Sequence, residues 1–209
     1  MRARARRGVW QRLLAAVGVR TGRVRRADAA AARREHGAAG EAETARLVAA
    51  LESQGWVVRH DLRMPGSRAN LDHLLVSPCG TAVVVLDSKN WHRGRTTMLV
   101  GGRVQCGTDD RHRQVEAVAS YARRVSRALG LPGVVVWPLL VVHGSPIAGG
   151  RLEARVPDWG GVVHVLGPAR LVPTLAAAPK VADLARAAAV SARVDRVLLP
   201  YVPGPRRVR

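Results

Sequence analysis

The chain contains no phenylalanine, only two cysteines and only two lysines, Lys89 and Lys180. Without Phe, a core must be filled by Val, Leu and Ala. A hydrophobic content of 47% over 209 residues is enough for one well-buried domain with appendages. Two thiols, Cys79 and Cys106, indicate neither a disulfide framework nor a zinc site, so a reducing, cytoplasmic setting is expected. No apolar run approaches the ~18 residues of a membrane span. The first apolar stretch is interrupted by Arg12 and followed by Arg20, Arg23, Arg25 and Arg26, which is not a signal-peptide pattern. No nucleophile elbow, phosphate-cradling glycine loop or zinc-ligand spacing occurs. Acyl hydrolase, nucleoside triphosphatase and zinc-enzyme chemistries are therefore disfavoured.

Acidic residues are also scarce. Fifteen Asp and Glu face 34 Lys and Arg, a net charge of +19, which points to a polyanionic partner, nucleic acid or an anionic membrane surface. The excess is uneven. Residues 1–36 hold eleven arginines against Asp28 and Glu35, and residues 193–209 hold five against Asp195, leaving +6 between these ends. The division expected is a basic arm over 1–36, a globular domain over 37–178, and a C-terminal helix and basic tail over 179–209. Within the arm, Trp10, Leu13, Leu14 and Val17 recur at helical spacing, so a short amphipathic helix is expected there.

Periodicity then predicts a helix from about Glu35 to Gln54, stopped by Gly55, and a short strand from Gly55 to His60. Two apolar runs follow, Leu71–Val76 and Thr81–Trp91, separated by the turn Ser77-Pro78-Cys79-Gly80, which reads as a β-hairpin. Thr97 to Val104 suggests a smaller hairpin around Gly101-Gly102. Asp109 or Asp110 can cap a helix with the stripe Val115, Val118, Ala122, Val125, Leu129, ended by Gly130 and Pro132. Val134 to His143 reads as a buried strand, with Pro138 arguing for an edge or a bulge. A short strand over Val162–Leu166 and helices over Pro168–Leu175 and Val181–Val194 complete a mixed α/β domain.

The chemistry is expected at the large hairpin. The run Ala82-Val83-Val84-Val85-Leu86 ends in Asp87-Ser88-Lys89, and the preceding strand carries Asp72 near its start. An ionised group at the end of a core strand is costly unless it is paired or binds a metal. Strand alternation puts Asp87 and Lys89 on one face. Two carboxylates and a lysine on paired strands suit Mg²⁺, which takes one or two carboxylates and completes its shell with water and phosphate oxygens. Such an ion could orient a scissile phosphate and lower the pKa of a water. The plainer alternative is an Asp87–Lys89 ion pair, with Asp72 capping the hairpin or pairing with Arg68 or His73. Glu41, near a helix start, would on its own read as a complement to the helix dipole. Trp91 and the flanking His73 and His92 read as packing or orienting groups.

The ordered blocks Gly37-x-x-Gly40-Glu41, Leu71-Asp72-His73-Leu74-Leu75-Val76, Gly80 to Asp87-Ser88-Lys89-Asn90-Trp91, and Gln114 in a helix resemble the nuclease-related domain (NERD) family over roughly residues 36–145. That family is placed in the PD-(D/E)XK restriction-endonuclease-like superfamily. The resemblance implies an αβββαβ core with a central mixed sheet flanked by helices, to which C-terminal helices are added. It implies that Asp72 and Asp87 bind Mg²⁺ or Mn²⁺, that Lys89 serves catalysis, and that Glu41 and Gln114 support them. The chain departs from the family in carrying Asp87 where Glu is usual, and Asp110-Arg111 where Asn-Pro is common. The function implied is a metal-dependent nuclease hydrolysing DNA. The alternative is a catalytically silent nucleic-acid or membrane-surface binding module that uses the basic arm.

Overall fold

A computed structural model describes residues 22–64, 66–67, 69–178 and 181–202. The amphipathic helix expected around Trp10–Val17 and most of the basic tail lie outside the described residues. Helix α1 runs from Gly22 to Ala49, and so begins well before the Glu35 that periodicity suggested. The reason is composition: from Arg23 to Arg34 the chain is almost entirely Arg and Ala, strong helix formers without an apolar stripe. By its contacts the chain divides into two units, residues 1–39 and 40–209. The described part of the first unit is helical, and the second contains everything that follows.

Strands β1 (Val57–Arg63), β2 (Asn70–Val76) and β3 (Ala82–Asn90) form an antiparallel meander. The turn between β2 and β3 closes through Gly80 N–H donating to Ser77 O at 2.9 Å. Strands β4 (Thr97–Val100), β5 (Arg103–Cys106) and β6 (Asp109–Asp110) make a separate three-stranded sheet. Helix α2 (His112–Leu129) follows, with Asp110 Oδ1 accepting the His112 N–H at 2.8 Å. All five predicted stripe residues of α2 are buried, and Gly130 caps its end at φ 57°. Next come β7 (Val135–His143), β8 (Arg151–Val156), β9 (Gly161–Leu166), α3 (Pro168–Ala176) and α4 (Leu184–Val197). The six-stranded sheet has the order β1-β2-β3-β7-β9-β8, with β7 parallel to both β3 and β9. This is a mixed α/β fold, with the expected αβββαβ order running from α1 to β7.

Two further features differ from the sequence reading. β7 is an internal strand despite Pro138, because its pairing with β9 starts only at Leu139. Position 138 therefore has a neighbour on one side alone, where a missing N–H is tolerated. β8 was not foreseen, although Arg-Leu-Glu-Ala-Arg-Val alternates out and in along its length.

The sheet buries both faces. On one, Leu74, Val76, Val83 and Val85 pack with Ala122 and Val125 of α2 and Val190 and Val194 of α4. On the other, Leu75, Val84 and Leu86 pack with Val48 and Leu51 at the end of α1 and its following turn, and with Leu171 and Leu175 of α3. A third cluster joins Trp91, Val104, Val115, Val118, Leu140 and Val142. Burying each large aliphatic side chain contributes roughly 1.5–3 kcal/mol, so β3 is fixed from both sides up to its charged end. Among the described residues, no helix is long and apolar enough to cross a membrane.

Candidate functional site

The register of the β2–β3 ladder pairs His73 with Leu86, so the next step along brings Asp72 opposite Asp87. Both are nearly sequestered, at 7% and 6% exposure. Burial pushes the Asp87 carboxyl up to about 6; Lys89 opposes the shift, while Asp72 and Glu41 add to it. Burial likewise raises Asp72, against the Ser88 amide, which donates to its Oδ2 at 3.0 Å, and against Lys89. Carboxylates that face each other across a strand pair, one raising the other's pKa, titrate as a pair, and holding one proton between them relieves their repulsion.

Lys89 is two residues beyond Asp87 on the same face. Its ammonium forms an ion pair with Asp87 Oδ2 and donates to Ser88 O at 3.0 Å. Burial alone would depress Lys89, but Asp87 and then Asp72 outweigh it and hold the lysine above its ordinary value. Glu41 comes from α1 and is half-buried. Its carboxyl is raised by burial and then by Asp72, and lowered by Lys89. The four charged groups predicted from sequence thus lie within electrostatic reach of one another. Gln114 does something different. Its Oε1 accepts the Trp91 indole N–H at 2.9 Å, so it braces the residue just past β3. Trp91 is buried, and its amide donates to His143 O at 2.9 Å.

Several participants were not singled out from the sequence. Tyr121 on α2 faces Asp87, Lys89 and Asp72, and burial followed by the Asp87 charge raises its phenol. It lies seven residues beyond Gln114, on the same helical face, which is the one signal that pointed to it. Asp61 falls opposite Asp72 in the β1–β2 register, between the pairs His60–His73 and Leu62–Leu71. It is the one described non-glycine residue with positive φ, at 48°, and its charge raises both Asp72 and Glu41. On the opposite face, Ser88 Oγ donates to Thr44 Oγ1 at 2.8 Å, and Thr44 Oγ1 meets His143 Nε2 at 2.8 Å. Thr44 sits one turn after Glu41. Gly40 belongs to the same contact, since a Cβ there would lie 3.4 Å from His143 Cδ2.

His73 points away from the carboxylates. Its Nδ1 meets His60 Nδ1 at 2.7 Å, its Nε2 has no partner, and burial, then His60 and His143, depress its pKa to about 4. His92 is exposed and accepts the Gly94 N–H, apart from the site. Both cysteines are free.

The donor set can be weighed against a divalent ion. Asp87 Oδ2 is buried and lacks a well-directed hydrogen bond, and its partner is the Lys89 ammonium. Among the described residues, no three His, Cys, Asp or Glu side chains are arranged to hold a metal. Two hard carboxylate donors are the kind that Mg²⁺ or Mn²⁺ takes, with water and phosphate oxygens completing its shell, and they are too few for the all-protein shell of a structural zinc site.

No curated protein and no solved structure matches the chain. A family model does: the nuclease-related domain covers residues 36–143, just over half of the 209 residues and the whole span from Glu41 to Gln114. The αβββαβ order, the paired Asp72 and Asp87 with Lys89 beside them, and that match agree, and the chain belongs to the nuclease-related domain (NERD) family.

Proposed function

We propose that the chain hydrolyses DNA phosphodiester bonds with Mg²⁺ or Mn²⁺ at the site formed by Glu41, Asp72, Asp87, Lys89 and Gln114. The observation that carries this reading is the pair of buried, proton-hungry carboxylates facing each other beside a charged lysine, in a nuclease-related chain. Asp72 and Asp87 would hold the ion. When bound, the ion would polarise a phosphoryl oxygen and make a water more acidic. Lys89 stays protonated near neutrality, so its role is charge stabilisation at the phosphate rather than proton abstraction. Glu41, half-buried and facing Asp72 and Lys89, orients the attacking water. Gln114 holds Trp91 and with it the end of β3. Water oxygen bonds to phosphorus as one P–O ester bond breaks; the proton that the water loses passes to solvent, and the departing alkoxide takes up a proton from solvent.

The test is cleavage of plasmid and single-stranded DNA with either metal, comparing wild type with Asp87→Ala and Lys89→Ala. Each substitution should cost on the order of 10²–10³-fold in rate. Cleavage that survives both substitutions removes these residues from the mechanism.

A second reading rests on the Lys89–Asp87 ion pair, with no third His, Cys, Asp or Glu ligand among the described residues: a module that binds nucleic acid with a silent site. Tight, salt-sensitive DNA binding with no cleavage under either metal supports that reading over the first.

A further inference from the structure

The small sheet β4–β6 plays no part in the nuclease chemistry, yet it carries an unusual surface. Met98, Leu99 and Val100 follow one another along β4, and each is exposed, at 37%, 38% and 44%. A half-buried strand alternates, so three adjacent exposed apolar side chains are not explained by packing. The base of the hairpin is firmly held. Thr97 is fully buried, its amide donates to Pro146 O at 2.7 Å, and its hydroxyl meets Ser145 Oγ at 2.7 Å. Val104, on the partner strand β5, packs in the same cluster as Trp91, immediately past the end of β3 that carries Asp87 and Lys89. The tip is bare. Gly101 and Gly102, at φ 56° and 77°, make the two-residue turn whose positive φ suits strand twist, and a Cβ on either would meet nothing within 4 Å.

Charge indicates what covers this tip. Residues 91–113 hold five arginines against Asp109 and Asp110, a net of +3. Arg95 and Arg111 pair with Asp109, and Arg103 pairs with Asp110. Among the described residues, Arg93 and Arg113 have no carboxylate partner. An apolar aliphatic tip on a segment of net positive charge matches the wedge with which proteins enter a DNA minor groove and unstack a base step. A single-strand platform would instead present aromatic rings, and none stands at this tip.

We propose that the β4–β5 hairpin is a duplex-DNA wedge: Met98, Leu99 and Val100 enter the minor groove beside the candidate cleavage site and kink the duplex there. The inference rests on the nuclease reading for the identity of the polyanion, and it is separable from turnover. The experiment uses the full chain in EDTA with a duplex labelled at both ends, so that bending is read by energy transfer without cleavage. Wild type should bend the duplex by roughly 20–90°. The variant Met98→Ser/Leu99→Ser/Val100→Ser, altered only at exposed positions, should lose the bend and weaken duplex binding about tenfold, with single-strand binding unchanged. Leu99→Ser alone should show an intermediate loss.

Equal bending and affinity in wild type and variants overturns the wedge, and leaves the nuclease reading intact if wild type still cuts DNA. A variant-sensitive bend in a protein that cuts nothing with Mg²⁺ or Mn²⁺ supports the wedge and sinks the nuclease reading. If the triple variant instead changes the oligomeric state or vesicle binding, with duplex binding unaltered, the surface belongs to a second copy or a lipid and the proposal fails.

Discussion

Asp87 and His73 are buried on neighbouring strands, and their titrations act on stability with opposite signs. Asp87 faces Asp72, Lys89, Glu41 and Tyr121, and its pKa rises from 3.8 to about 6 on folding. Between those values the native state binds more protons than the unfolded chain, so stability increases as pH falls and the benefit is lost on return to neutrality. His73 faces His60 and His143, and its pKa falls from 6.5 to about 4. There the unfolded chain binds more protons, so stability is lost as pH falls through the same window. Between about pH 6 and pH 4 the two therefore act in opposite directions. Single substitutions should separate them in metal-free protein. His73→Gln should make the protein more stable at about pH 5 than at about pH 7, and Asp87→Asn should steepen its loss of stability on acidification. Urea midpoints at the two pH values decide the matter, and parallel slopes in wild type and both variants would refute these shifts.

Elements in this fold are locked by a few close approaches. The turn before β3 presses on α4: Gly80 has φ 63°, and a Cβ there would lie 2.7 Å from the Ala187 nitrogen. Gly80→Ala must therefore displace backbone as well as strain it, and should cost about 2–4 kcal/mol, whereas Gly101→Ala meets open space and should cost only about 1–2 kcal/mol. Denaturant unfolding of the two variants isolates the contact. Thr44 joins α1 to Ser88 and His143, and the Ser88 peptide in turn holds Asp72. Thr44→Val should cost about 1–3 kcal/mol by leaving buried groups unpaired, and should slow cleavage, while Thr44→Ser restores both. Loss of stability with an unchanged rate would confine the network to folding. These contacts mark the limit of what was legible in the sequence. Asp72, Asp87 and Lys89 stood out because charge at the end of a buried run violates the local pattern. Thr44, His143 and Asp61 break no pattern, and only the register and packing of distant strands make them neighbours. The first half of helix α1 is hidden for a related reason, since a polar Arg-Ala helix has propensity but no stripe. β8 carries the period-two signal, but its six residues lie between glycine-containing turns that mask it as a separate element.

For the molecule as a whole, net charge governs encounter rather than chemistry. The charge of +19 is concentrated toward the ends of the sequence, whereas the Asp72–Asp87–Lys89 group nearly neutralises itself inside the second unit. Binding energy that comes from arginines on phosphates is counterion release, so the logarithm of affinity should fall linearly with the logarithm of salt, by about 0.9 for each phosphate neutralised on a duplex. Residues 1–21 carry six arginines and no acid, and all of them precede the described start of α1. If each contacts a phosphate, deleting this segment flattens the salt slope by up to about 5 and weakens DNA binding most at low salt. Single-turnover cleavage at saturating protein should be unchanged, since Asp72, Asp87 and Lys89 remain. The measurement is a titration of labelled duplex at several salt concentrations for full-length and shortened chains. An unchanged slope would assign duplex affinity to residues 22–209, and would leave the anionic membrane surface as the partner to test for the six arginines of residues 1–21.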